Sequence, residues 1–424
     1  MPWLYTLVAY LLFVVLFPLL LLSSKTRRGI RARFGYYKHD TLLHVGGPRV
    51  WLHGASAGDL LALLPIAREL RHLRPDVVFI VSTMTNTGAL VAQQRFADAA
   101  LTTFLPYDLP GATARAVKTL RPDLLVLEYT EIWPSLIRAA KQGGARLALT
   151  NGRFAQRRLP RYRLLFRLTG NPLVSLDLLL MREEVEAVRA RALGAPPERV
   201  QVTGNTKFDA LVHSIPESDD AAFVGALGLG ERPPTLVAGS THEGEEAILL
   251  NIYSVLRREV PNLRLVLAPR YIDRAPRLVA LAEAAGHDAA LRSKGAPGTA
   301  SVLVLDTIGE LTAAYRLATV VFVGGSFVRR GGQNILEPAA CGKPVLFGPR
   351  MENFRDSVQV LLGRGGIQVR DAAGLTRVLR ELFTRPEQAI ELGHLAKAAV
   401  SQVRGASARN AALLATLLPP AERD

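Results

Sequence analysis

The chain has 424 residues, enough for two ordinary domains that each bury a core. Hydrophobic residues make up 49% and charged residues 21%, which excludes a disordered or collagen-like chain. With 52 Lys+Arg against 37 Asp+Glu the formal charge is +15, so an anionic partner is expected: nucleic acid, acidic lipid or a phosphorylated substrate. Cys341 is the single cysteine, which excludes an internal disulfide framework and any cysteine-based metal cluster.

Residues 1–24 contain no Asp, Glu, Lys or Arg. The run is long enough to cross a hydrocarbon core of roughly 30 Å as a helix. Trp3, Tyr5 and Tyr10 lie toward its start, where aromatic rings suit a membrane interface. Lys25, Arg27, Arg28, Arg31, Arg33 and Lys38 follow before the first acid, Asp40. This asymmetry predicts a transmembrane anchor with the amino terminus outside and the bulk of the protein inside. A cleaved signal peptide fits less well, because a basic n-region and an A-x-A site are both missing.

Beyond the anchor, short apolar runs predict strands at 49–53, 77–82, 124–127, 146–150, 235–238, 264–268, 302–305, 320–323 and 344–347. Helical patterns lie between them, as at 60–72, 244–260 and 308–318. Strands apolar on both faces and joined by helices predict an α/β protein with parallel sheets covered on both sides. The polar stretch 213–220, with Pro216 and the adjacent Asp219 and Asp220, reads as a linker between two doubly wound halves. In such sheets ligands sit outside the carboxyl ends of the strands.

Unusual residues collect at those strand ends. After the first strand, Ser56, Ala57 and Gly58 permit close approach of a backbone or ligand, and Asp59 opens a helix. Asp59 reads either as a first-turn acid on the helix dipole or as a general base toward a hydroxyl. Glu131, within Thr130-Glu131-Ile132-Trp133-Pro134, follows another strand and reads as a cap or a site carboxylate. Arg157, Arg158, Arg161, Arg163 and Arg167 alternate with Leu159, Tyr162, Leu164, Leu165 and Phe166. That basic amphipathic stretch suits a solvated face or lipid headgroups. Lys207, between Asn205 and Asp209, is a surface lysine or a cleft cation.

In the second half, Ser240 and Thr241 lead from a strand toward a helix, as an anion site or a cap. Pro269-Arg270, Ile308-Gly309-Glu310 and Gly324-Gly325-Ser326 follow three more strands, and Asn334-Ile335-Leu336-Glu337 comes soon after the last. Glycine-rich turns that open helices suit phosphate, and Glu337 suits the hydroxyls of a ribose. The chain has no G-x-G-x-x-G after its first strand, no P-loop, no D-x-D and no H-x₃-H or H-E-x-x-H pair. Those absences argue against dinucleotide, P-loop, metal-clamp and zinc chemistry. No nucleic-acid-binding module is visible either, so nucleic acid drops out as a partner.

Taken together and in order, H-G-A-S-A-G-D (53–59), L-P-Y-D (105–108), T-E-I-W-P (130–134), N-G-R (151–153), V-T-G-N-T-K-F-D (202–209), S-T-H-E-G-E-E (240–246), A-P-R (268–270), D-T-I-G-E-L (306–311) and F-V-G-G-S-F-V-R-R-G-G-Q-N-I-L-E-P-A-A (322–340) resemble one family. It is the 3-deoxy-D-manno-octulosonic acid (Kdo) transferase family of lipopolysaccharide assembly, and the likeness covers nearly the whole chain. The resemblance implies a GT-B fold of two Rossmann-like domains facing a cleft. Residues 25–212 would bind the acceptor and 221–424 the CMP-sugar, with the last helix packing back on the first domain. It implies an inverting, metal-independent transfer of Kdo from CMP-Kdo to lipid A precursor (lipid IVA) at the cytoplasmic face of the inner membrane, with no cofactor.

By position, the family's proton acceptor falls on Asp59 and its transition-state stabilising residues on Glu131 and Lys207. Its CMP contacts fall on Pro269 and Arg270, on Ile308, Gly309 and Glu310, and on Asn334, Ile335, Leu336 and Glu337. Ser56, Gly58, Ser240, Thr241, Gly325 and Ser326 are further candidates for the cleft. Most members carry Glu at Asp59, His at Gln333 and frequently His at Tyr271. A transferase for another CMP-sugar or acceptor, and a non-catalytic membrane-anchored nucleotide or lipid binder, are the alternatives these departures permit.

Overall fold

The computed structural model describes residues 6, 10, 11, 13, 15, 28–37, 42, 46–212, 233–294 and 300–420. Most of the expected anchor, residues 1–24, and all of the expected linker, 213–220, lie outside the described residues. Among the described residues no helix is long and apolar enough to cross a membrane. The chain divides into two compact units, residues 1–210 with 404–424, and residues 211–403.

The first unit is built on seven strands: β1 (Arg49–His53), β2 (Val78–Thr83), β3 (Leu101–Phe104), β4 (Leu124–Glu128), β5 (Arg146–Gly152), β6 (Leu178–Met181) and β7 (Val200–Val202). All pair in parallel, in the order β3-β2-β1-β4-β5-β6-β7. Successive side chains of a strand point to opposite faces, and here both faces are covered. Trp51, Leu125, Leu127, Leu147 and Leu149 enter one core, while Val50, Leu52, Leu124, Val126 and Ala148 enter another. That is why these runs read as continuously apolar.

The helix Ala57–Leu73 lays Leu60, Leu63, Ile66 and Leu70 on the second of these cores. Ala411 and Leu414 of the helix Ala406–Ala415 join the same cluster, so the carboxyl-terminal segment closes over the helix that carries Asp59. Polar bonds fix its register. The buried Asp209 carboxylate accepts the Gly405 and Ser407 N–H groups at 2.7 and 2.6 Å. Arg409 donates twice to the Thr203 carbonyl, at 3.0 and 2.8 Å.

The second unit carries β8 (Thr235–Thr241), β9 (Arg264–Pro269), β10 (Ala289–Leu291), β11 (Val302–Val304), β12 (Val320–Val323), β13 (Val345–Phe347) and β14 (Gly366–Gln368). These too are parallel, in the order β10-β11-β9-β8-β12-β13-β14. Each sheet is wound in both directions from its first strand, with a reversal between β1 and β4 and between β8 and β12; in the second sheet β11 also inserts between β9 and β10. A doubly wound sheet opens a ligand crevice at that reversal, beyond the carboxyl ends of the strands.

All nine expected strands are present, two with the expected ends and the rest with an end shifted by at most three residues. The five unexpected ones, β3, β6, β7, β10 and β14, are only three or four residues long. The first expected helix starts at Ala57, because Ser56 caps it. The expected helix at 308 starts at Leu311, because Gly309 takes φ +94°, outside helical space.

Candidate active site

At the reversal of the first sheet, β1 ends at His53 and Gly54-Ala55-Ser56 turns the chain into the helix Ala57–Leu73. A Cβ on Gly54 would stand 3.0 Å from both Asp59 Cβ and Leu60 N, so the tight turn requires glycine. Ser56 and Asp59 form a capping box, in which Asp59 Oδ2 accepts the Ser56 N–H at 2.8 Å. In this structure Asp59 is therefore a helix-terminal acid, half-buried, with exposed Gly58 beside it. Outside that capping box, no hydrogen bond to its carboxylate is found among the described residues.

Next to it, β4 ends on Glu128, a carboxyl with no solvent exposure. Thr150 donates its hydroxyl to Oε2, and Asn151 donates from Nδ2 to Oε1. Burial pushes Glu128 up to about 8, opposed by those two hydrogen bonds; the charge of Asp59 raises it further and that of Arg182 lowers it. Asn151 and Tyr129, at the ends of β5 and β4, hold φ of 51° and 56°, a conformation non-glycine residues rarely take. Asn151 also donates to Thr206 Oγ1 at 2.6 Å and accepts the Thr206 N–H at 2.9 Å. Thr206 Oγ1 donates in turn to the Ala62 carbonyl at 2.9 Å, in the helix of Asp59.

That chain sets the start of the helix Thr206–Val212 and with it Lys207, which is half-buried and forms no ion pair among the described residues. Glu131 follows β4 by three residues. Its Oε2 accepts Trp133 Nε1–H at 3.0 Å and lies 3.6 Å from Nε2 of the buried His53. Trp133 is fixed because Pro134 begins the next helix, whose Ser135 and Leu136 N–H groups are accepted by Asp108 at 3.1 and 2.9 Å. Asp59, Glu131 and Lys207 thus each follow the carboxyl end of a strand of the first sheet, after β1, β4 and β7.

In the second unit, Glu245 dominates the reversal point. Its buried carboxylate accepts four backbone N–H groups: His242 at 2.9 Å, Gly325 at 2.7 Å, Ser326 at 3.0 Å and Phe327 at 3.0 Å. The glycine-rich turn after β12 therefore already holds an anion, the protein's own. Ser240 (φ 54°) and Thr241 are residues of β8 and not helix caps; Gly244 is the N-cap. Thr241 Oγ1 is buried with no hydrogen-bond partner among the described residues.

Pro269 is buried at the end of β9, and Arg270 is exposed, its N–H bonded to the Thr241 carbonyl at 2.9 Å and its guanidinium 5.9 Å from the Tyr271 ring centre. After β11, Ile308 is 85% exposed, and Glu310 accepts Arg292 at 3.0 Å and the Thr307 hydroxyl. Asn334 donates to the Leu211 carbonyl at 3.0 Å and accepts the Leu336 N–H at 3.1 Å. Ile335 and Leu336 are fully buried, so only their backbone is available to a ligand. Glu337 accepts the Thr312 hydroxyl, and burial raises its pKa. Gln333 and His242 flank Gly325, each within 3.4 Å of where its Cβ would stand. The candidate CMP residues thus sit after β9, β11 and β12, on both sides of β8.

His53, Asp108, Glu128 and Asn151 were not singled out from the sequence as site residues. A charged residue ending an apolar strand was the available signal for Glu128; its burial was not readable. Because its folded-state value lies above the ordinary 4.5, the folded chain holds this proton more tightly than the unfolded chain. Stability from Glu128 is therefore complete below the unfolded value and is lost as pH rises toward 8. Glu128→Gln keeps a neutral group on Thr150 and Asn151. Urea unfolding at roughly pH 5 to 9 should show wild type losing stability relative to E128Q with rising pH, by at most about 1.4 kcal/mol per pH unit. Parallel curves would mean the carboxyl is ionised throughout.

A family model described as 3-Deoxy-D-manno-octulosonic-acid transferase (kdotransferase) matches residues 28–210. The 3-deoxy-D-manno-octulosonic acid transferase of Bordetella pertussis is 32% identical over 390 residues, covering 89% of this chain and 89% of that protein. The enzyme of the same description from Haemophilus influenzae is 30% identical over 407 residues, 95% of this chain and 93% of that one. Among solved structures, the UDP-GlcNAc 2-epimerase of Neisseria meningitidis bound to UDP-GlcNAc aligns with a TM-score of 0.54 at 12% identity, over 87% of this chain and 99% of that chain, a likeness of fold alone. With matches of that identity and length, the chain belongs to the 3-deoxy-D-manno-octulosonic acid transferase family.

Proposed function

We propose that this protein transfers Kdo from CMP-Kdo to the phosphorylated lipid A precursor lipid IVA, with inversion and without a metal ion. Family membership supports the glycosyl transfer, and the sequence motifs support the donor and acceptor. The observation that carries the reading is that Asp59, Glu131 and Lys207 each follow the carboxyl end of a parallel strand in one unit. Asp59 takes the proton of the acceptor hydroxyl as that oxygen bonds to the anomeric carbon of Kdo. The bond from that carbon to the phosphate oxygen breaks, CMP leaves, and direct displacement inverts the centre. Lys207 and Arg270 meet the charge on the departing phosphate, the role a D-x-D-bound metal would otherwise fill.

Asp59 is one methylene shorter than the family's usual Glu, and its cap bond to the Ser56 N–H gives that shorter side chain a fixed position. Burial raises Glu128 nearby to about 8, so that carboxyl holds its proton at neutral pH. The reading places the protein at the cytoplasmic face of the inner membrane, held by residues 1–24. The helix Leu159–Thr169 supports contact with an anionic leaflet, since it buries Leu159 and Phe166 and leaves Leu164 at 60% and Leu168 at 46% exposure beside exposed arginines.

The direct test supplies CMP-Kdo and lipid IVA to the purified protein in EDTA and reads the lipid product by mass spectrometry. Kdo-bearing lipid is expected, and Asp59→Asn should lower kcat by about 10² to 10⁴. CMP binding without turnover would favour a nucleotide or lipid binder. Transfer restored only by added magnesium would refute the metal-free leaving group. For the membrane face, replacing Arg157, Arg158 and Arg161 by Glu should raise the KM for lipid IVA in anionic vesicles about tenfold or more and leave that for CMP-Kdo nearly unchanged. Equal changes in both would reject the lipid contact.

A further inference from the structure

His53 ends β1 with no solvent exposure, and its ring joins a hydrogen-bond chain through Ser82. Trp51 Nε1–H donates to Ser82 Oγ at 2.8 Å. Ser82 Oγ, having accepted that bond, has its own hydroxyl proton to give, and His53 Nδ1 lies 3.0 Å away. The Ser82 carbonyl, which accepts the Gly54 N–H at 3.2 Å, is also 3.1 Å from Nδ1. Taking Nδ1 as the acceptor of the Ser82 hydroxyl leaves Nε2 to carry the ring proton, the tautomer that the ¹⁵N spectra below read.

Nε2 is buried and has no hydrogen-bond partner among the described residues. The acceptor in front of it is Glu131 Oε2, 3.6 Å away, and that oxygen already takes Trp133 Nε1–H at 3.0 Å. A buried N–H left without an acceptor is costly, so a small rotation of Glu131 that closes the gap is favoured. Site hydrogen bonds are commonly long before substrate arrives and shorten in the complex.

We propose that His53 is a positioning residue for Glu131: its Nε2–H joins Trp133 Nε1–H on Oε2 and leaves Oε1 as the oxygen presented to substrate. Two donors on one oxygen fix both the rotamer and the direction of the charge. The device is built from the strand core outward, through Trp51, Ser82 and His53, so it is rigid without touching the sugar. This rests on the transfer reading above for Glu131's contact with substrate, and on geometry alone for the link between His53 and Glu131.

Two substitutions separate the two sides of the ring. His53→Asn keeps a polar group near Ser82 but has nothing at the Nε2 position, whereas His53→Gln places an amide N–H there. In the transfer assay, H53N should lower kcat about 10- to 100-fold with KM for CMP-Kdo changed by less than about threefold, and H53Q should recover most of the loss. In a Glu131→Gln background, H53N should cost less than about twofold more, because the interaction it removes is already gone. Losses that multiply in the double variant, or H53N as fast as wild type, would overturn the proposal.

A second arm needs no substrate and no folded variant at position 53. Imidazole ¹⁵N spectra of wild type and E131Q should show the His53 proton on Nε2, with a resonance that moves when Glu131 is replaced. A bare Nε2, or a signal indifferent to E131Q, would refute the link. If wild type transfers no Kdo but this signal responds, the function fails and the pairing stands.

Discussion

The arrangement of the first unit's strand ends depends on one buried chain of hydrogen bonds, from Glu128 through Asn151 and Thr206 to the Ala62 carbonyl. It ties together β4, β5, the helix beginning at Thr206 and the helix carrying Asp59. Unpaired polar groups at that depth are costly, so each member confines its neighbours. The same confinement sustains Tyr129 and Asn151 in left-handed backbone, strain that persists only where surroundings over-determine it. Electrostatics follow from the burial. Glu128, raised to about 8, keeps its proton near neutrality, while Asp59 and Glu131 lie nearer solvent.

The second unit uses a carboxylate differently. A glycine-rich turn after β12 has the shape of a phosphate cradle, yet Glu245 fills it with four N–H bonds. Glu245 thereby rigidifies the turn and removes those amides from ligand binding. Affinity for a nucleotide phosphate must then come from other groups, of which Arg270 is the exposed cation at the end of β9. Asp59 and Glu245 stand at equivalent places, each opening the helix after the strand where its sheet reverses. One keeps most of its carboxylate free for chemistry. The other is committed wholly to structure.

Much of this was legible in the sequence. Strands buried on both faces appear as unbroken apolar runs, and β1, β4, β5, β8 and β12 were all expected for that reason. Short strands such as β7 and β14 have too few residues for a pattern to form, and only pairing with a neighbour defines them. Of the site, Asp59, Glu131 and Lys207 could be placed by chain position after a strand or beside polar neighbours. What sequence could not supply was accessibility. Ile335 and Leu336 lie in a segment assigned to ligand contact, but their side chains belong to the core. Glu245 reads as an ordinary first-turn acid until its four partners are seen, and three of them are about eighty residues away. Long-range pairing of this kind leaves no local trace.

The measurement that tests the central claim most directly is a crystal structure of Asp59→Asn with a non-transferable CMP-Kdo analogue and lipid IVA bound. The acceptor's reacting hydroxyl should lie about 3 Å from the residue-59 side chain, with Glu131 and Lys207 facing the reacting sugar. An acceptor hydroxyl held by other residues, with position 59 still serving only its own helix, would contradict it.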